Sequence, residues 1–146
     1  MSDNKPMSKS EEIQVRRAAR KAELDKQESV QAAIDLEAID ALEVEYGDNN
    51  IAVIVVPFTP GSVTRVACRT PKPEEIKRYR YRVKPKKLGD VPSSQEAASE
   101  LAAVTVVYPA KEAWDRVLGE RPGLDTQLGQ RAVALAVGEE ESEGKG

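Results

Sequence analysis

The sequence predicts an α+β fold: a mainly helical small domain with one β-hairpin and a polar N-terminal helical arm. Three observations predict it. A β-branched run, IAVIVV at 51–56, is followed by a turn tetrapeptide and a second β-branched stretch, VTRVACRT at 63–70. Apolar residues recur with helical period on both sides of this pair, and the first 29 residues are polar. The 146 residues, 40% of them hydrophobic, suffice for one modest core and for a single domain with tails. Trp114 and Phe58 are the only residues of their kinds, so Val, Leu, Ile and Ala must build that core.

In chain order, residues 1–29 read as a polar arm, partly helical or disordered, because Ile13, Val15 and Leu24 are too sparse to define a buried stripe. A single globular domain is expected over 30–137. Its first helix gathers Ala33, Ile34, Leu36, Ile39, Leu42 and Val44 and ends at Gly47, which suits a C-cap. The hairpin occupies 51–70. Its turn is TPGS at 59–62, where Pro60 fixes φ and Gly61 accepts the positive φ of a type II turn. Two strands alone are marginal in water, so helices must cover them.

A basic helix follows at 73–84, with Pro73, Glu74 and Glu75 at its start and Ile76, Tyr79 and Val83 on one face. The segment KKLGDVPSS then reads as a linker. C-terminal helices fill 94–137. Ser93 and Glu96 have capping-box spacing, and Ala97, Leu101, Val104 and Tyr108 continue a helical stripe until Pro109. KEAWDRVL forms a short helix closed by Gly119, and the last helix starts near Pro122 and Gly123. The end, 138–146, is an acidic disordered tail.

The absence of histidine and the single cysteine, Cys68, remove the commonest general base, the commonest metal ligand and any internal disulfide. No catalytic, metal or cofactor residues are assigned, and an enzyme is not expected. Cys68, between Arg65 and Arg69, reads as a small hydrophobe on a buried strand. The pair Glu74 and Glu75 reads as a helix-dipole feature. Gly138, Gly144 and Lys145 miss the phosphate-loop spacing and lie among glutamates. Neither a membrane span nor a signal pattern is found, so a cytoplasmic location is expected.

Charge falls in blocks. Residues 1–46 carry seven basic and eleven acidic groups, 72–87 eight and two, and 88–146 five and eleven. The stretch KRYRYRVKPKK at 77–87 can contact phosphate, with tyrosines stacking on bases, or form a solvated helix face that pairs with acidic protein. The net charge of −3 favours protein. Lys77, Arg78, Arg80, Tyr81 and Arg82, with Trp114, are the expected partner-binding residues.

Two segments carry a resemblance. In the first, Pro71, Glu75, Lys77, Arg78 and Arg80 fit a P-x-x-x-E-x-K-R-x-R pattern after a hairpin. The second places Val106, Val107, Tyr108 and Pro109 before Trp114, Leu118, Pro122 and Gly123. Over roughly 51–137 the chain resembles the tail assembly chaperones of tailed bacteriophages, and the arm lies outside the match. The resemblance implies a non-catalytic protein of the host cytoplasm that binds and shields the tape measure protein during virion morphogenesis, with the tail tube protein a further partner. It also implies many copies per client, with which a homo-oligomer is compatible. No cofactor is implied. The family often makes a longer product by ribosomal frameshifting, and Gly144-Lys145 is compatible with a slippery codon pair. The alternative is a small nucleic-acid-binding or virion structural protein using the 77–87 segment.

Overall fold

A computed structural model describes residues 6–84 and 94–138. The expected linker up to Ser93, the ends Lys86 and Lys87 of the basic block, and the tail beyond Gly138 lie outside the described residues. The elements are α1 (Lys9–Tyr46), β1 (Ile51–Val55), β2 (Arg65–Arg69), α2 (Pro73–Val83), α3 (Ser94–Thr105), β3 (Val106–Tyr108), α4 (Lys111–Glu120) and α5 (Leu124–Val137). This is a small, mainly helical α+β domain with a three-stranded antiparallel sheet in the order β1-β2-β3.

Helix α1 starts at Lys9, well before residue 30, and runs unbroken for 38 residues, about 57 Å at 1.5 Å per residue. Its start is a capping box: Ser8 Oγ accepts the Glu11 N–H at 3.1 Å, and Glu11 Oε1 accepts the Ser8 N–H at 3.2 Å. No Pro or Gly interrupts it before Gly47, whose φ of 97° ends the helix and whose N–H donates to the Glu43 carbonyl. Residues 9–30 are exposed along their whole length.

The hairpin pairs Ile51 with Arg69 and Val55 with Arg65. Gly61 has the positive φ of its turn, 82°, and the Ser62 N–H donates to the Thr59 carbonyl at 3.0 Å. Alternation along the strands makes two cores. Ile54, Val66 and Cys68 face α3, α4 and α5, packing with Leu101, Trp114, Val117 and Leu128. Ile51 and Ala67 point to the other face and meet Ile39 of α1. Each fully buried Val or Leu here contributes about 1.5–3 kcal/mol.

Three expectations are corrected. The helix ending at Tyr108 stops at Thr105, and β3 pairs Ala67 with Tyr108 and Cys68 with Val106. The β-branched residues 105–107 suit a sheet edge better than a helix end. Consequently the buried face of α3 is Ala97, Ala98, Leu101, Ala102 and Thr105, while Val104 is exposed. Gly119 does not close α4, which continues to Glu120 and caps at Arg121. Only part of the apolar set of α1 faces the sheet: Ile39 is buried and Leu42 packs beside it, whereas Ile34, Leu36 and Val44 are exposed and the polar Asp35 is buried.

Helices α3 and α5 touch backbone to side. A Cβ built on Gly129 would stand 2.0 Å from the Ala98 carbonyl oxygen. With Ala98, Ala102 and Ala132 also buried, small side chains set this close crossing.

Candidate interaction surface

Helix α2 is aimed by one side chain of the sheet. Arg69 donates from Nη1 and Nη2 to Glu75 Oε1 and Oε2 at 2.8 and 3.0 Å, and to the carbonyls of Thr70 and Val104 at 3.1 and 2.8 Å. Glu75 Oε1 also accepts the Lys72 N–H at 2.8 Å, so Glu75 is a structural ion-pair partner rather than a helix-dipole feature alone. The side chains are only 15% and 16% exposed. Hydrogen bonds from Arg69 hold the Glu75 carboxyl below the usual carboxylate range, against the opposing effect of burial.

With Ile76 and Tyr79 packed on the core, the remaining face of α2 is turned outward. Lys77, Arg78, Arg80, Tyr81 and Lys84 are exposed there, Tyr81 by 62%. Arg82 departs from this group. It turns to α3, with Nη1 2.6 Å from Glu100 Oε2 and Nη2 3.8 Å from Glu96 Oε2. The block is thus divided between an internal ion pair and an open basic face.

Behind that face, Glu75, Arg78 and Tyr79 meet Ala97, Glu100, Leu101 and Val104 across a cleft of about 310 Å³. A larger groove of about 690 Å³ lies between α3, β3 and α4. Its floor includes Ala103, Val106, Val107, Pro109, Trp114 and Leu118, and Glu100, Lys111, Asp115 and Asp125 supply charge around it. Trp114, expected as a partner contact, is 4% exposed and belongs to the core, so it supports the groove more than it offers a face to a partner. Helical spacing accounts for this: Trp114 and Val117 share the buried side of α4.

Two clasps fix this surface to the sheet. Arg116 of α4 donates to the carbonyls of Gly61 and Pro60 at 3.0 and 3.2 Å, and Thr59 Oγ1 donates to Glu120 Oε1 at 2.9 Å. On the far side Asp35 of α1, fully buried, accepts from the Thr64 N–H and hydroxyl, from Gln31 Nε2 and from the Tyr108 hydroxyl. Burial raises the Asp35 pKa, but the donors from Thr64, Tyr108 and Gln31 outweigh it and hold the carboxyl below its ordinary value. Burial, with the Asp35 charge beside it, raises the Tyr108 phenol.

Burial pushes the Cys68 thiol up to about 12, and its Sγ lies 3.8 Å from the Leu128 carbonyl, as expected of a packed strand cysteine. Among the described residues no group of His, Cys, Asp and Glu could hold a metal ion. No described helix is long and apolar enough to cross a membrane.

Sequence reasoning missed Asp35, Arg69, Arg116 and Gly129. Only Gly129 carried a local signal, a glycine inside an otherwise helical pattern. Compared with family models, characterised proteins and solved structures, the chain matches none.

Proposed function

We propose that the protein is a non-catalytic tail assembly chaperone that binds and shields the tape measure protein of a tailed phage. The observation that carries this reading is the groove between α3, β3 and α4. Val106, Val107, Pro109, Trp114 and Leu118, all members of the motif that resembles the chaperone family, line it. An amphipathic client helix can lay its apolar side on such a floor, which removes aggregation-prone surface from water. Glu100, Asp115 and Asp125 favour a client with bases beside its apolar stripe. The open basic face of α2 supplies a second contact, for acidic groups on the client or on a tail tube subunit.

Coexpression with the cognate tape measure protein tests the reading. Ala103 is exposed on the groove, so Ala103→Glu places a charge on the floor without entering the core. The client should be soluble beside the parent chain and insoluble beside the variant. Equal client solubility with and without this chain would end the proposal.

The exposed Lys77, Arg78, Arg80 and Lys84 beside Tyr81 favour a second reading, single-stranded nucleic-acid binding. It requires association with an oligonucleotide at low salt that weakens steeply as salt rises. No association at low salt rules it out.

A further inference from the structure

The sheet order β1-β2-β3 leaves β1 and β3 at its two sides, and the two edges differ. Strand β3 is three residues long, its pairing with β2 shifts register at Ala67 and Cys68, and it runs into Pro109. A short edge, an irregular ladder and a proline each discourage further pairing. Strand β1 is a regular five-residue run of Ile, Ala and Val with no charge, proline or bulge.

The ladder fixes which backbone groups of β1 are used. The Val56 N–H donates to the Thr64 carbonyl at 2.8 Å, and the Thr70 N–H to the Asn50 carbonyl at 3.0 Å. Even-numbered residues from 50 to 56 therefore bond to β2, and the N–H and C=O of Ile51, Val53 and Val55 point away from it. No strand and no side chain among the described residues takes up these outward groups. The Val55 side chain beside them is 68% exposed.

Helix α5, which packs on β1 and β2, adds a second observation. From Ala132 to Val137 it carries only Ala, Val and Leu; residues 133–136 are half-buried and Val137 is exposed. A helical stretch apolar on every side belongs in an interior or an interface.

We infer that β1 is the interface of a homodimer in which the β1 strands of two copies pair antiparallel about a two-fold axis at Val53, joining two three-stranded sheets into one. The outward groups call for an extended backbone, and their symmetry selects a second copy. Val53 pairs with Val53 and Ile51 with Val55, so every outward N–H and C=O of both strands is used. The side chains agree with this register. Ile51 and Val53 lie on the α1 face, with Val55 by alternation, whereas Ala52 and Ile54 lie on the α5 face. The two-fold keeps both faces continuous, setting the exposed Val55 against Ile51 and Ala52 against Ile54. Because α5 lies over β1 and β2, a strand spacing of about 4.8 Å brings the α5 helices of the two copies to about 10 Å, a helix-packing distance. A client strand would fill the edge and leave the apolar end of α5 bare. The groove between α3, β3 and α4 lies at the opposite side of the sheet, so the pairing does not depend on which client that groove takes.

Sedimentation equilibrium and residue-resolved amide exchange of the full chain test the inference. The parent should have twice the monomer mass, and the amides of Val53 and Val55 should be protected along with those of Ala52 and Ile54. In a sample mixed from 13C-labelled and unlabelled chains, contacts between copies should join Val53 to Val53 and Val55 to Ile51. Val55→Lys puts a charge on the edge at an exposed position. This variant should be monomeric and lose protection at Val53, while Ala52 and Ile54 stay protected, which shows that β1 is still paired with β2. Val55→Thr keeps a β-branched side chain and should remain dimeric. A monomeric parent, a dimer that survives Val55→Lys, or a Val53 amide protected only after a client is added would overturn the inference.

Discussion

One oxygen of Asp35 receives two hydrogen bonds from Thr64: Oδ2 accepts the backbone N–H and the hydroxyl, each at 2.6 Å. The other oxygen accepts from Gln31 at 2.9 Å and from the Tyr108 hydroxyl. A single carboxylate therefore joins α1 to the strand β2 entry and to β3, the strand that lines the groove.

Replacing Asp35 by Ala leaves the Thr64 N–H and the Tyr108 hydroxyl without their acceptor. The expected loss is about 2–3 kcal/mol of unfolding free energy, read as a lower urea midpoint. Amide exchange should quicken first where the C-terminal half of α1 covers the sheet.

The same group sets a pH dependence. The folded Asp35 carboxyl titrates below its ordinary value of 3.8, so its contribution is complete above that value and is lost as pH falls through the folded pKa. Glu75 acts in the same direction below 4.5. Urea midpoints measured downward from neutral pH should fall in this acid window. Asp35→Asn should be less stable at neutral pH and lose less on acidification.

Gly129→Ala should cost about 1–3 kcal/mol, the scale of overpacking, although alanine is the better helix former. The added methyl meets the Ala98 backbone, which cannot move as a side-chain tip could. A variant as stable as the parent would show that α3 and α5 do not cross this closely.

Arg69 and Glu75 should be strongly coupled. A double-mutant cycle with Arg69→Ala and Glu75→Gln is expected to give an interaction energy of about 1–3 kcal/mol. Near zero would mean that α2 is oriented by Ile76, Tyr79 and the Arg82 ion pairs without help from Arg69.

Much of the fold is legible where local chemistry decides it. Gly47, Pro60-Gly61 and Pro73 punctuate the chain at the positions their φ requirements predict. Strand β3 is less so, because residues 104–108 continue the helical period of Ala97 and Leu101, and only pairing with β2 selects the extended form. Asp35 was hidden for a different reason. It sits inside an apolar-rich stretch, and the Thr64 and Tyr108 that justify its burial lie 29 and 73 residues away. For the candidate surface, the exposure of Lys77, Arg78, Arg80 and Tyr81 follows from helical spacing. The inward turn of Arg82 depends on Glu96 and Glu100 of α3, a contact no local pattern encodes.

We propose that the groove between α3, β3 and α4 holds the tape measure protein. Hydrogen–deuterium exchange of this chain with and without that client tests it most directly. Exchange should slow at Val106–Tyr108 and through α4 when the client is bound, and Ala103→Glu should abolish the slowing. Unchanged exchange in these segments with the client bound would contradict it.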